Sequence, residues 1–146
     1  MQKCVSILIA EDNDDIRETV AEALMMEGYT VHTAKNGKEA LVQLAKLPSP
    51  ALVLLDLMMP VMSGWEFLDA QKANAVLAPH QIVVVSAVEA TESLEDRTPL
   101  NTAGSLSKPI NLQKLLDMVR SFCGTGEDME ISHESMRGGV AQSASL

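Results

Sequence analysis

Short runs of aliphatic residues alternate along the chain with stretches in which apolar positions recur every three or four residues. The runs are Val5–Ala10, Thr30–Ala34, Leu52–Leu55 and Ile82–Val85, with a weaker one at Ser105–Ser107. The first, third and fourth are nearly continuous in hydrophobicity, the pattern of parallel strands covered on both faces, which puts them in the middle of a sheet. Helical spacing appears at Ile16, Val20, Ala23 and Leu24, at Ala40, Leu41 and Leu44, and at Leu112, Leu115, Leu116 and Val119. Asn13 or Asp14 can cap the first of these helices, Gly28 suits its left-handed end, and Gly37 and Gly64 mark turns into the next helical stretches. The order is a βα unit repeated five times, an α/β fold built on a parallel sheet.

One unit fits poorly. Residues 88–104 should carry the helix before the last strand, yet apolar residues are sparse there and Pro99 interrupts the ladder, so a short or irregular helix is expected. After Cys123 the composition turns to Gly, Ser, Glu and Met without a period. Residues 1–123 are therefore read as one domain and 124–146 as a flexible tail or the start of a linker.

Length and composition narrow the function classes. A chain of 146 residues, 47% hydrophobic, supports one domain with a real core. Its net charge of −9 argues against direct nucleic-acid binding, which relies on clustered Lys and Arg. Cys4 and Cys123 lie near opposite ends without metal-ligand spacing, so both read as reduced packing residues. No apolar run is long enough for membrane insertion or for a signal-peptide core, and a cytoplasmic protein is expected.

In an open parallel α/β sheet, ligands bind beyond the carboxyl ends of the strands where strand order reverses. Glu11 and Asp12 follow the first strand, Asp56 ends the third, Ser86 ends the fourth and Lys108 follows the fifth. With the order 2-1-3-4-5, Asp12 and Asp56 face each other across that reversal. Carboxylates so crowded repel by roughly 4 kcal/mol per pair at 4 Å and an effective dielectric near 20. Mg²⁺ suits the set, because it takes hard oxygen ligands and is commonly held by one or two carboxylates plus a phosphate oxygen. Asp56 is the candidate nucleophile, since carboxylates form aspartyl phosphates. Lys108 and Ser86 would bind oxygens of the transferred group. Taken singly, each residue is more simply an ordinary polar group at a strand end; their convergence at one sheet edge changes that balance.

These pieces resemble the receiver domain of bacterial two-component response regulators over residues 3–122. The matching segments are Ile-Leu-Ile-Ala-Glu-Asp-Asn at 7–13, Leu-Leu-Asp-Leu-Met-Met-Pro at 54–60 with Gly64, Val-Val-Val-Ser-Ala at 83–87 and Ser-Lys-Pro at 107–109. The resemblance implies a flavodoxin-like, doubly wound (βα)5 sheet of order 2-1-3-4-5. It implies phosphorylation of Asp56 by a histidine kinase or phosphotransfer protein, and signalling through contacts with a downstream protein not identified by the sequence. Catalysis would be confined to the domain's own phosphorylation and dephosphorylation. It further implies Mg²⁺ held by Glu11, Asp12, Asp56 and the Met58 carbonyl, with Ser86 and Lys108 on the phosphoryl group and a cis Lys108–Pro109 bond.

Two departures from the family pattern carry expectations of their own. Ser105 stands where receivers usually have Tyr or Phe, so the phosphorylation chemistry is expected to be retained while the signalling surface is remodelled, toward the first helix or the loop after the fourth strand. Met58 and Val88 occupy positions that tune hydrolysis in the family; both are apolar, which points either to a long-lived phosphoryl group or to mere solvent-facing filler. Two rival functions exist. A pseudo-receiver binding module would keep the fold and signal without phosphorylation; against a metal-dependent phosphatase or nucleotide enzyme, the sequence has no GxxxxGK(S/T) or GxGxxG loop to hold a nucleotide and no substrate-binding insertions. Ser93–Asn101 mimics a histidine-kinase phosphorylation box but has Leu94 in place of the histidine, and His133 lacks the rest of such a box. His32 reads as a strand-surface residue and His80 as a loop residue. Whether the chain is a stand-alone receiver or the front of a longer protein stays open.

Overall fold

A computed structural model of the protein describes residues 4–48, 50–87 and 102–124. Five strands, β1 (Ser6–Ala10), β2 (Val31–Ala34), β3 (Ala51–Asp56), β4 (Gln81–Ser86) and β5 (Gly104–Ser107), form one sheet in the order β2-β1-β3-β4-β5. All four strand pairings are parallel. The sequence-derived strands are each present, with ends shifted by a residue at most. Four helices are described: α1 (Asp14–Met26), α2 (Gly37–Lys46), α3 (Gly64–Ala73) and α4 (Leu112–Cys123). The irregular helix expected over 88–104, with Val88, Leu94 and Pro99, falls largely outside the described residues, as do the tail from 125 onward and His133.

Successive side chains of a strand point to opposite faces, and β1, β3 and β4 bury both. On one face Leu8, Val53, Leu55 and Val84 pack with Ala40, Leu44, Phe67 and Leu68 from α2 and α3. On the other, Ile7, Ile9, Leu54 and Val85 pack with Val20, Leu24, Leu115 and Val119 from α1 and α4. Each such Leu, Ile, Val or Phe side chain contributes roughly 1.5–3 kcal/mol on leaving water, and this two-sided burial is why the three strands read as nearly continuous apolar runs. β5 closes one edge, with Ser105 and Ser107 exposed, which explains its weak signal.

The helix ends follow from short polar residues. Asn13, rather than Asp14, caps α1: its Oδ1 accepts the Ile16 N–H at 2.9 Å. Asn36 and Asn111 cap α2 and α4 in the same way, and Ser63 with Glu66 forms a reciprocal capping box on α3. Gly28, at φ 93°, takes the left-handed conformation expected after α1. The Lys108–Pro109 peptide is cis.

The cysteines differ from expectation. Cys4 and Cys123 form a disulfide, because the parallel topology places the start of β1 beside the end of α4. Their separation of 119 residues hid this in the sequence.

Candidate functional site

Register carries the polar residues to one edge of the sheet. Ala10 pairs with Leu55, so Glu11 emerges beside Asp56, and Asp56 itself lies opposite Val85, one residue before Ser86. Ser86 pairs with Ser107, and its carbonyl accepts the Lys108 N–H at 2.8 Å, which sets the Lys108 backbone against the end of β4. Ligand atoms from Glu11, Asp12 and Asp56 lie within 4.8 Å of one another.

Glu11 is held at every polar atom. Its N–H donates to Ala34 O at 3.0 Å, its Oε2 accepts the Asn13 N–H at 3.1 Å, its Oε1 meets Lys108 Nζ at 2.9 Å, and its carbonyl accepts from Arg17 Nη1 at 3.0 Å. Asp56, 3% exposed, accepts the Met58 N–H on Oδ1 at 3.2 Å, and its Oδ2 lies 3.4 Å from Lys108 Nζ. Asp12 is exposed, Ser86 is buried, and the Met58 side chain points outward.

The backbone around Asp56 is equally constrained. The Gly64 N–H donates to Leu57 O at 2.9 Å. A Cβ at Gly64 would sit 2.5 Å from Asp56 O and 2.7 Å from Leu57 Cα, so α3 starts against the strand end only because that residue is glycine. In the same loop the Met62 N–H donates to Pro60 O at 2.7 Å around Val61, whose φ of 69° is a strained value for a β-branched residue. That turn presents Met62 O to the Gly37 N–H at 3.0 Å, tying the loop to α2.

The electrostatics follow from crowding. Burial, and then the Glu11 charge, push the Asp56 carboxyl up to about 7, against the opposing pull of Lys108 and the Met58 N–H. Burial alone would lower Lys108, but its hydrogen bond to Glu11 and the charges of Asp56 and Glu11 outweigh that and hold it above its ordinary value. The site thus holds more negative charge than its one ammonium balances, and the oxygens are the hard donors a small divalent cation prefers. On this geometry the residues fit such an ion.

Every site residue expected from sequence lies at this edge. Glu11, Asp12, Asp56 and Lys108 are brought together through their side chains. Ser86 joins them at the neighbouring strand end, and Met58 does so through its backbone. Arg17 was missed; the signal for it was a cation on the buried α1 stripe that also carries Val20, Ala21 and Leu24. His80 was read as a loop residue, and it does lie outside regular structure, but it is buried and its Nδ1 accepts the Ala51 N–H at 2.9 Å.

Comparison with known proteins identifies the family of the chain. The family model described as response regulator receiver domain matches residues 7–120. Response regulator RR06 of Streptococcus pneumoniae is 34% identical over 120 residues, covering 81% of this chain and 52% of that protein. Transcriptional regulatory protein HprR of Escherichia coli is 32% identical over 120 residues, covering 80% and 51%. The chain therefore spans about half the length of these two relatives. Among solved structures, the chemotaxis response regulator CheY4 of Vibrio cholerae superimposes with a TM-score of 0.70 at 28% identity, covering 83% of this chain and 99% of that one. Response regulator TrrA of Thermotoga maritima, solved in complex with Mg²⁺ and BeF, gives 0.69 at 30% identity, covering 83% and 98%. Among the described residues no helix is long and apolar enough to cross a membrane. With its doubly wound sheet, its acidic edge and these matches, the chain belongs to the response regulator receiver domain family, a signalling module of two-component systems.

Proposed function

We propose that the protein accepts a phosphoryl group on Asp56 from a histidine kinase or phosphotransfer protein and passes the signal on through protein contacts. The observation that carries this reading is the buried Asp56 carboxylate at the end of β3, with Lys108 Nζ 3.4 Å from Oδ2 and two further carboxylates alongside. In the transfer, an Asp56 carboxylate oxygen forms a bond to phosphorus as the bond from phosphorus to the donor's leaving atom breaks, and the leaving group departs with that electron pair. Lys108 stabilises charge on the phosphoryl oxygens, and the Ser86 hydroxyl donates a hydrogen bond to another. Glu11, Asp12, Asp56 and the Met58 carbonyl would hold Mg²⁺, which supplies charge neutralisation to the phosphoryl oxygens. The Mg²⁺ and BeF in the Thermotoga relative's structure support that assignment. Met58, 60% exposed and apolar, has no group able to orient an attacking water, which favours a slowly hydrolysed aspartyl phosphate.

Incubation with acetyl phosphate and Mg²⁺, followed by intact mass, tests the reading. Wild type should gain one phosphoryl group, and should gain none after chelation of the metal. Asp56→Asn should gain none under either condition. Equal labelling of Asp56→Asn, or no labelling of folded wild type, would overturn it.

A further inference from the structure

Arg17 occupies a place that general principles disfavour. It lies in the first turn of α1, where the helix dipole opposes a cation, and it is only 6% exposed, on the face otherwise given to Val20, Ala21 and Leu24. Burying a guanidinium is costly unless every donor is well used. Its two terminal nitrogens are directed to chosen acceptors: Nη1 donates to the Glu11 carbonyl at 3.0 Å, and Nη2 pairs with Asp14. The Arg17 backbone N–H donates to Asn13 O at 2.9 Å. The guanidinium thus holds the carbonyl that precedes Asp12, while the carbonyl of Asn13 is held by the main-chain bond of the first helical turn.

We infer that Arg17 is a positioning residue for the divalent-cation site, holding the Glu11–Asp12–Asn13 segment so that both carboxylates converge on Asp56. This rests on the metal-binding reading given above. The guanidinium reaches Glu11 through its main chain, leaving Oε1 and Oε2 to Lys108 and the Asn13 N–H. It orients the acidic loop without competing for its carboxylate oxygens, as outer-shell partners of metal sites do. Asp14, paired with Nη2, anchors the other side of the fork.

The sign of the effect separates positioning from simple charge. Removing a cation near a cation site should strengthen metal binding if only Coulomb's law acted, whereas releasing the loop should weaken it. The test is titration of the full chain with MgCl₂ by calorimetry for wild type, Arg17→Gln and Arg17→Lys, alongside amide exchange of residues 11–13 without metal. Arg17→Gln should bind Mg²⁺ about tenfold more weakly and exchange faster at Asp12 and Asn13. Arg17→Lys, which keeps the charge and one donor, should fall between the two and serves as the readout should the glutamine variant not fold. Unchanged or tighter binding in either folded variant overturns the positioning role, even where the melting temperature drops. Absence of Mg²⁺ binding by wild type would instead count against the metal-binding reading itself.

Discussion

At Gly64 the backbone of β3 passes so close that any side chain collides with it. The atoms in the way, Asp56 O at 2.5 Å and Leu57 Cα at 2.7 Å, are main chain and cannot swing aside. Gly64→Ala should therefore cost about 2 kcal/mol, within the range for overpacked sites, and displace the Asp56 backbone. Urea unfolding and labelling by acetyl phosphate would both register the change. Gly104→Ala is the internal contrast, since among the described residues its Cβ would meet only the flexible Met118 side chain, Sδ at 3.7 Å and Cε at 3.9 Å; a cost at Gly64 no larger than at Gly104 would refute the close-approach argument. At this scale the sequence revealed the residues whose type alone implies chemistry, Asp56 and Lys108 above all. It did not reveal Arg17 or the strained Val61, because whether a side chain is buried, or a φ is positive, depends on what another element places beside it.

Among the elements, β1, β3 and β4 were legible because burial on both faces makes them almost wholly apolar, with polar residues only at or near their ends, and α1, α2 and α4 because their apolar stripes repeat every three to four residues. β5 was faint for the opposite reason: an edge strand with alternate residues exposed has little apolar content to announce it. How the elements join was less visible, and His80 shows why. It sits just before β4, and its Nδ1 accepts the N–H of Ala51, the first residue of β3, so one imidazole ties the lower ends of two central strands. Burial keeps that ring neutral and holds its pKa below the ordinary value, near 6.5. The unfolded chain takes up the proton first as pH falls, so stability that is fully present above about 6.5 is lost progressively below it, until the folded ring also titrates. A protonated Nδ1 can no longer accept, and the loss should approach about 1 kcal/mol, the typical worth of one hydrogen bond. Unfolding free energies at pH 7 and pH 5, compared between wild type and His80→Gln, isolate the effect from the carboxylates common to both. The drop between the two pH values should be smaller in the variant, and an equal drop in both proteins would rule out His80 as its source.

For the whole molecule, the strand order decides which distant residues meet. It brings Glu11, Asp56 and Lys108 to one edge, a convergence readable from sequence because each residue follows its own strand. The same topology brings Cys4 to Cys123, and no local pattern signals that pairing. The end of α4 is held there by further contacts: Tyr29 Oη donates to Gly124 O at 2.6 Å, and Arg120 pairs with Glu27 at 3.7 Å. Neither contact involves the sulfur atoms, so reduction should leave the folded state in place and act mainly on the unfolded chain. A cross-link spanning 119 residues removes much of that chain's conformational freedom, worth roughly 4–5 kcal/mol by loop-closure entropy. Urea unfolding with and without a thiol reductant should therefore show a lower midpoint under reduction and a steeper dependence on urea, since the opened chain exposes more surface. Cys4→Ala/Cys123→Ala protein should unfold near the midpoint of reduced wild type, and reductant should not move it. A midpoint that reductant does not move in wild type would show that the cross-link adds nothing to the packing and to the Tyr29 and Arg120 contacts that hold the two ends of the fold together.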